Sequence, residues 1–132
     1  MGPKALAATF LVVMAAAAGC FVAAFLRRRE RSVHIRLALT GAAIDVAGTI
    51  AVIVTARILE WHVPARFPDV AAVHRVFAYA ATALLAVQAA TGFARSRGLE
   101  PLSRLHGPLA AVFLPVYLAT YGLAVAAYGW WW

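Results

Sequence analysis

The stretch His34-Ile-Arg-Leu-Ala-Leu-Thr-Gly-Ala-Ala-Ile-Asp-Val-Ala-Gly-Thr-Ile-Ala-Val-Ile-Val-Thr-Ala-Arg-Ile-Leu-Glu-Trp-His62 decides the fold. From residue 37 to residue 56 it is apolar apart from small Thr and Gly residues and one acid, Asp45. At ~1.5 Å rise per residue this run makes a helix of about 30 Å, the thickness of a bilayer's hydrocarbon core. The stretch therefore reads as a membrane-spanning helix with a histidine at each mouth and a carboxyl group at its middle.

Three more runs of that kind flank it. Residues 5–26 carry no charge, and the run is too long for the core of a signal peptide, so it reads as a retained helix. Ala17-Ala18-Gly19-Cys20 only faintly resembles a lipoprotein cleavage site. A third run covers residues 70–94, with His74 and Arg75 in its first turns and Gln88 as its most polar interior side chain. A fourth covers residues 105–128, opened by His106 and containing Pro115. Pro64 and Pro68 break the chain before the third helix, and Asp69 is placed to cap it. Helices are thus expected at about 5–26, 34–58, 70–94 and 105–128, in one domain over residues 1–132.

Composition gives the same class. The chain is 64% hydrophobic and 13% charged, and its apolar runs are apolar on every face instead of showing one amphipathic stripe. A formal charge of +7 would suit nucleic acid, but the arginines stand beside the spans, where headgroups and the orientation rule account for them. Nucleic acid is therefore not expected as a partner; membrane lipid is. The single cysteine, Cys20, excludes a disulfide framework and a Cys-x-x-Cys motif.

Arg27–29, Arg31, Arg36, Arg95, Arg97 and Arg104 lie in or beside the first and third connections, against Lys4, Arg57, Arg66 and Arg75 elsewhere. The first and third connections should then face the cytoplasm, with both termini outside, most simply across a bacterial inner membrane. Short links give an all-α, up-down four-helix bundle. Phe25-Leu-Arg-Arg leading to His34 and Phe93-Ala-Arg-Ser leading to His106 form a weak internal repeat of the two hairpins.

This topology sorts the histidines into His34 with His106 at the basic end and His62 with His74 at the other. Paired imidazoles on facing helices are what a six-coordinate haem iron needs, so one or two b haems are expected. Arg36, Arg104 and Arg75 stand near enough in sequence to pair with propionates, and Gly41, Gly92 and Gly107 leave room for a macrocycle. Two other readings stay open. The histidines can be hydrated residues of the interface, in a cofactor-free accessory subunit of a larger membrane complex. Alternatively, Glu60, His62, Asp69 and His74 mix imidazole and carboxylate ligands suited to copper or zinc.

Asp45 stands apart. A mid-membrane acid costs about 2.5–3.5 kcal/mol on insertion scales and normally faces the bundle with a partner. Counting depth from the basic ends places Thr82 and Tyr117 opposite it, either as structural glue or as part of a proton relay or a cofactor's electrostatic partner. No nucleophile elbow, His-Glu-x-x-His or phosphate-binding glycine loop occurs in the sequence, and no independent catalytic activity is expected.

Several of these residues also carry a resemblance. His34-Ile-Arg-Leu-Ala-Leu-Thr-Gly-Ala, the closing His62, the opening His74, and Arg104-Leu-His106 followed by Leu114-Pro115-Val-Tyr117-Leu-Ala-Thr-Tyr-Gly122 resemble the small four-helix membrane family that includes CtaM and YozB. The likeness covers about residues 27–128. It implies a role in handling haem or copper during maturation of haem-copper terminal oxidases, carried by His34, His62, His74 and His106. A broader likeness to di-haem b-type cytochromes implies electron transfer in a respiratory complex.

Overall fold

Residues 3–58, 60 and 64–129 are described by a computed structural model, Pro3 and Lys4 by their backbone only. They form four helices: α1 (Pro3–Leu26), α2 (Arg31–Arg57), α3 (Pro68–Ser96) and α4 (Leu102–Tyr128). All four are long and apolar enough to cross a membrane. Large apolar side chains such as Val12, Leu39, Ile50, Ile53 and Val76 point outward at 55–68% exposure. So much outward apolar surface is lipid-facing surface, and the chain is an integral membrane protein.

α2, α3 and α4 start two or three residues before the expected positions, because their first turns lie among the flanking arginines and prolines, where headgroups and water satisfy the free N–H groups. Asp69 does not cap α3. The N-cap is Phe67, Pro68 takes a first-turn position, and Asp69 sits in the first turn, where its charge opposes the positive helix end. Gly98, at φ +68°, turns the chain after α3, a conformation costly to a residue with a Cβ. Arg28 lies 4.6 Å over the Phe25 ring and Arg97 5.1 Å over Phe93, so a cation–ring stack closes both α1 and α3, although Arg97 falls one residue beyond the position that matches Arg28 in the repeat.

The helices pack as two hairpins, α1 on α2 and α3 on α4, joined by α1 against α4. The backbones of α2 and α3 stay apart, although only a short connection links them. Small residues set this order. Ala17 on α1 and Ala127 on α4 have no exposed surface at all, and alanine faces let helix backbones approach where lipid gives no hydrophobic drive. The core consists of Ala17, Ala18 and Phe21 of α1, Ala81 of α3, and Phe113 and Tyr117 of α4, with Ala42 and Ile44 of α2 against it.

Candidate functional site

His34 opens α2 and His106 opens α4, and the fold brings them together. Their ring centroids are 6.1 Å apart and their planes 79° to one another. Each ring is held from behind. His34 Nδ1 donates to the backbone carbonyl of Ala24 on α1 at 2.9 Å; a carbonyl only accepts, so the proton is on Nδ1. Thr91 Oγ1 gives its proton to the Gln88 carbonyl at 3.1 Å and so accepts from His106 Nδ1 at 3.3 Å. Both neutral rings therefore keep their lone pair on Nε2, and no hydrogen bond to either Nε2 is formed among the described residues. An Nδ1–H bonded to a carbonyl or hydroxyl is the orienting partner that metal-bound imidazoles use.

α3 is shaped to receive this arrangement. A Cβ on Gly92 would stand 3.1 Å from His106 Cε1 and 3.4 Å from its Nδ1, so the imidazole lies against bare backbone. Gln88 Nε2 donates to the His106 carbonyl at 3.2 Å. That bond fixes the amide's orientation, leaving Gln88 Oε1 buried with no partner among the described residues. Gly92, expected to leave room for a macrocycle, is instead covered by the His106 ring; buried Thr91, Gln88 and the Ala24 carbonyl were not legible as site residues. The spacing of Gln88, Thr91 and Gly92 on one helix face was their only sequence signal.

Ring spacing supplies a test of fit. Two imidazoles on opposite sides of one metal, with bonds of about 2.0 Å and about 1.1 Å from nitrogen to ring centre, have centroids about 6.2 Å apart. The observed 6.1 Å is the same centroid separation. Across this diagonal, α2 and α4 meet through side chains, and two imidazoles are donor chemistry that suits a haem iron or another single metal.

The other expected residues divide. Gly41 leaves no room: a Cβ there would meet Cys20 and Phe21 at 3.0 Å, so α1 already fills the space. Gly107 is open. Arg104 is paired with Glu100 at 2.8 Å, both largely exposed, while Arg36 and Arg75 are exposed. Arg95, in the last turn of α3, is the arginine that acts electrostatically on His106. At the far end, His74 Nδ1 donates to the Thr120 carbonyl at 3.0 Å, and its ring lies 6.0 Å from that of Tyr128. His62, its expected partner, lies outside the described residues. Among the described residues no three of His, Cys, Asp and Glu gather into a metal-binding group; Glu60 and Asp69, named with His74 for copper or zinc, are both exposed.

Asp45 found one of its two expected partners. Tyr117 Oη donates to Asp45 Oδ1 at 2.5 Å, across from α4 to α2. Thr82 instead turns back on the Ala78 carbonyl of its own helix at 2.9 Å and is exposed. Tyr117 thus lies level with Asp45 as the count expected, whereas Thr82 faces away from it on α3. No family model matches the chain, and neither the curated proteins nor the solved structures hold a match to it.

Proposed function

We propose that this chain binds haem b through His34 and His106 and serves respiratory electron transfer or terminal-oxidase assembly in a bacterial inner membrane. The observation that carries the reading is the back-bonded pair: two imidazoles 6.1 Å apart, each with Nδ1 held by its own acceptor and Nε2 left as a free donor atom. Haem bound there supplies one-electron chemistry. His34 and His106 would hold its iron, with the Ala24 carbonyl and Thr91 orienting the two rings and Gly92 admitting the His106 ring. Arg36 and Arg95 are the cations left for propionates once Arg104 is taken by Glu100. The basic connections face the cytoplasm in this reading, and the outward faces of α2 and α3 are where a larger respiratory complex packs.

A reduced-minus-oxidised absorption spectrum of the protein purified in mild detergent from haem-replete cells tests this directly. The expected result is a low-spin b-type spectrum that collapses in His34→Ala and in His106→Ala. A second component lost only in His74→Ala extends the reading to a second haem at the far end, with His62. Bound copper without haem replaces it with a metal-handling role. A featureless spectrum with no bound metal overturns it in favour of an accessory subunit.

A further inference from the structure

Asp45 and Tyr117 bridge α2 and α4 eleven residues beyond His34 and His106 respectively, about 16 Å further along each helix. We propose that this pair is a proton-holding site that exchanges with the end of the bundle carrying the termini and is sealed from the basic end. The proposal stands whatever the histidine pair holds.

The charge inventory requires a proton. The groups facing Asp45 are Tyr117 from α4 and, a turn toward the basic end, Cys20 from α1, which packs at Gly41. α2 itself has no other titratable group between Arg36 and Arg57, α3 has no charged residue between Arg75 and Arg95, and α4 none between His106 and its C-terminal end. An ionised Asp45 would thus have one phenol donor and no cation in the low-dielectric middle of a membrane, which is costly. The same acid, protonated, keeps the bond to Tyr117 at no charge.

The two sides of the pair are packed differently, with aromatic rings on the basic side and small alanines such as Ala124 and Ala127 beside polar groups on the other. Toward the basic end the pair meets the tightest part of the core. Phe21 stands edge-on to Phe113 at 5.0 Å and to Tyr117 at 4.8 Å, and Phe113 lies 5.5 Å from Tyr117. Phe21 also occupies the space over Gly41, so aromatic rings stand between Asp45 and the histidines. Toward the other end the polar groups resume within a turn. Thr120 follows Tyr117 on α4, its carbonyl holds the His74 ring, and no Nε2 hydrogen bond of His74 is formed among the described residues. His74 is the first histidine on that side, where the phenols of Tyr79 on α3 and Tyr121 on α4 also lie.

A hydrophobic carbodiimide, which adds across a protonated carboxylic acid within the bilayer, reads the site. The full chain is placed in phosphatidylcholine vesicles, its orientation fixed by protease access to a C-terminal tag, and adducts are mapped by mass spectrometry while pH is varied on each side. The expected adduct sits on Asp45, rises as pH falls on the terminal side, ignores pH on the basic side, and vanishes in Asp45→Asn. In Tyr117→Phe the donor that favours the ionised form is gone, and half-labelling occurs at roughly tenfold lower proton concentration. Phe113→Ala makes labelling respond to the basic side as well. Labelling of the wild type that follows basic-side pH, or that ignores pH on both sides, overturns the proposal. If no adduct forms, infrared spectra decide. A protonated-carboxyl band that titrates with terminal-side pH and is missing from Asp45→Asn upholds the site, and its absence from the wild type overturns it.

Discussion

His106 is held by three residues of one helix face: Thr91 takes its Nδ1 proton, Gly92 lies under its ring, and Gln88 donates to its carbonyl. Thr91 and Gly92 make different predictions. Thr91→Val keeps the shape and removes the acceptor, so if the proposed haem site holds, haem retention is expected to weaken about 10–100-fold with little change in the unloaded protein's stability. Equilibrium haem titration beside thermal unfolding checks both parts. Gly92→Val places branched carbon where the imidazole stands, and overpacking of this kind costs about 1–3 kcal/mol. It should shift the detergent unfolding midpoint and also abolish low-spin ligation. A Gly92→Val protein that binds haem as the wild type does would mean that the ring leaves α3 on loading. Sequence alone identified the His34–His106 and Asp45–Tyr117 pairs because depth in a membrane helix is a residue count. It did not identify Thr91 or the Ala24 carbonyl, and it assigned Gly92 to a macrocycle and not to the His106 ring, because which face meets which neighbour depends on helix rotation, and runs apolar on every side give no phase.

Helix existence and approximate length were plain in the four apolar runs, since about 30 Å of hydrocarbon fixes how many residues a span needs. What the runs hid was which helices touch closely. Asp69 looked like a cap, yet the helix begins before it at Pro68; Arg104 looked free for a propionate, yet Glu100 one turn earlier takes it. The glycines separate close contact from open surface. At Gly41 a methyl group would press on Cys20 Cβ and on the wedged Phe21 ring, both at 3.0 Å, whereas at Gly122 nothing lies within 4 Å. Gly122→Ala is therefore expected to stabilise α4 by about 0.5–1 kcal/mol through helix propensity alone. Gly41→Leu should destabilise by about 1–3 kcal/mol by forcing α1 from α2. Thermal unfolding in one detergent compares them, and a Gly41→Leu protein as stable as the wild type would show that the α1–α2 contact yields at no cost.

At the scale of the molecule, two hairpins are joined through α1 and α4 while α2 and α3 stand apart. The connection between Arg57 and Pro68 thus joins two helices that do little to hold each other. It contributes effective concentration and not contact, so cutting it should leave the interface intact. Co-expressed as separate chains, residues 1–60 and 64–132 are expected to associate in the membrane and to copurify. Ala17 is fully enclosed in the core shared by α1 and α4, where a larger side chain has no space. Ala17→Leu should abolish copurification, and Phe21→Ala should weaken it by removing the ring that touches both Phe113 and Tyr117. Ile53 on α2, 56% exposed, serves as the contrast, and Ile53→Ala should change nothing. Tyr117→Phe adds the last distinction. It removes the hydrogen bond that ties α2 to α4, and interhelical bonds of this kind contribute about 0.6 kcal/mol on average in membranes. Its halves should still copurify, at roughly threefold lower recovery near the association midpoint, because close-packed alanine and aromatic surfaces hold the hairpins and the polar pair is spared for the proton. If Tyr117→Phe separated the halves while Ala17→Leu left them joined, that order of importance would be reversed, and Asp45 would be structural.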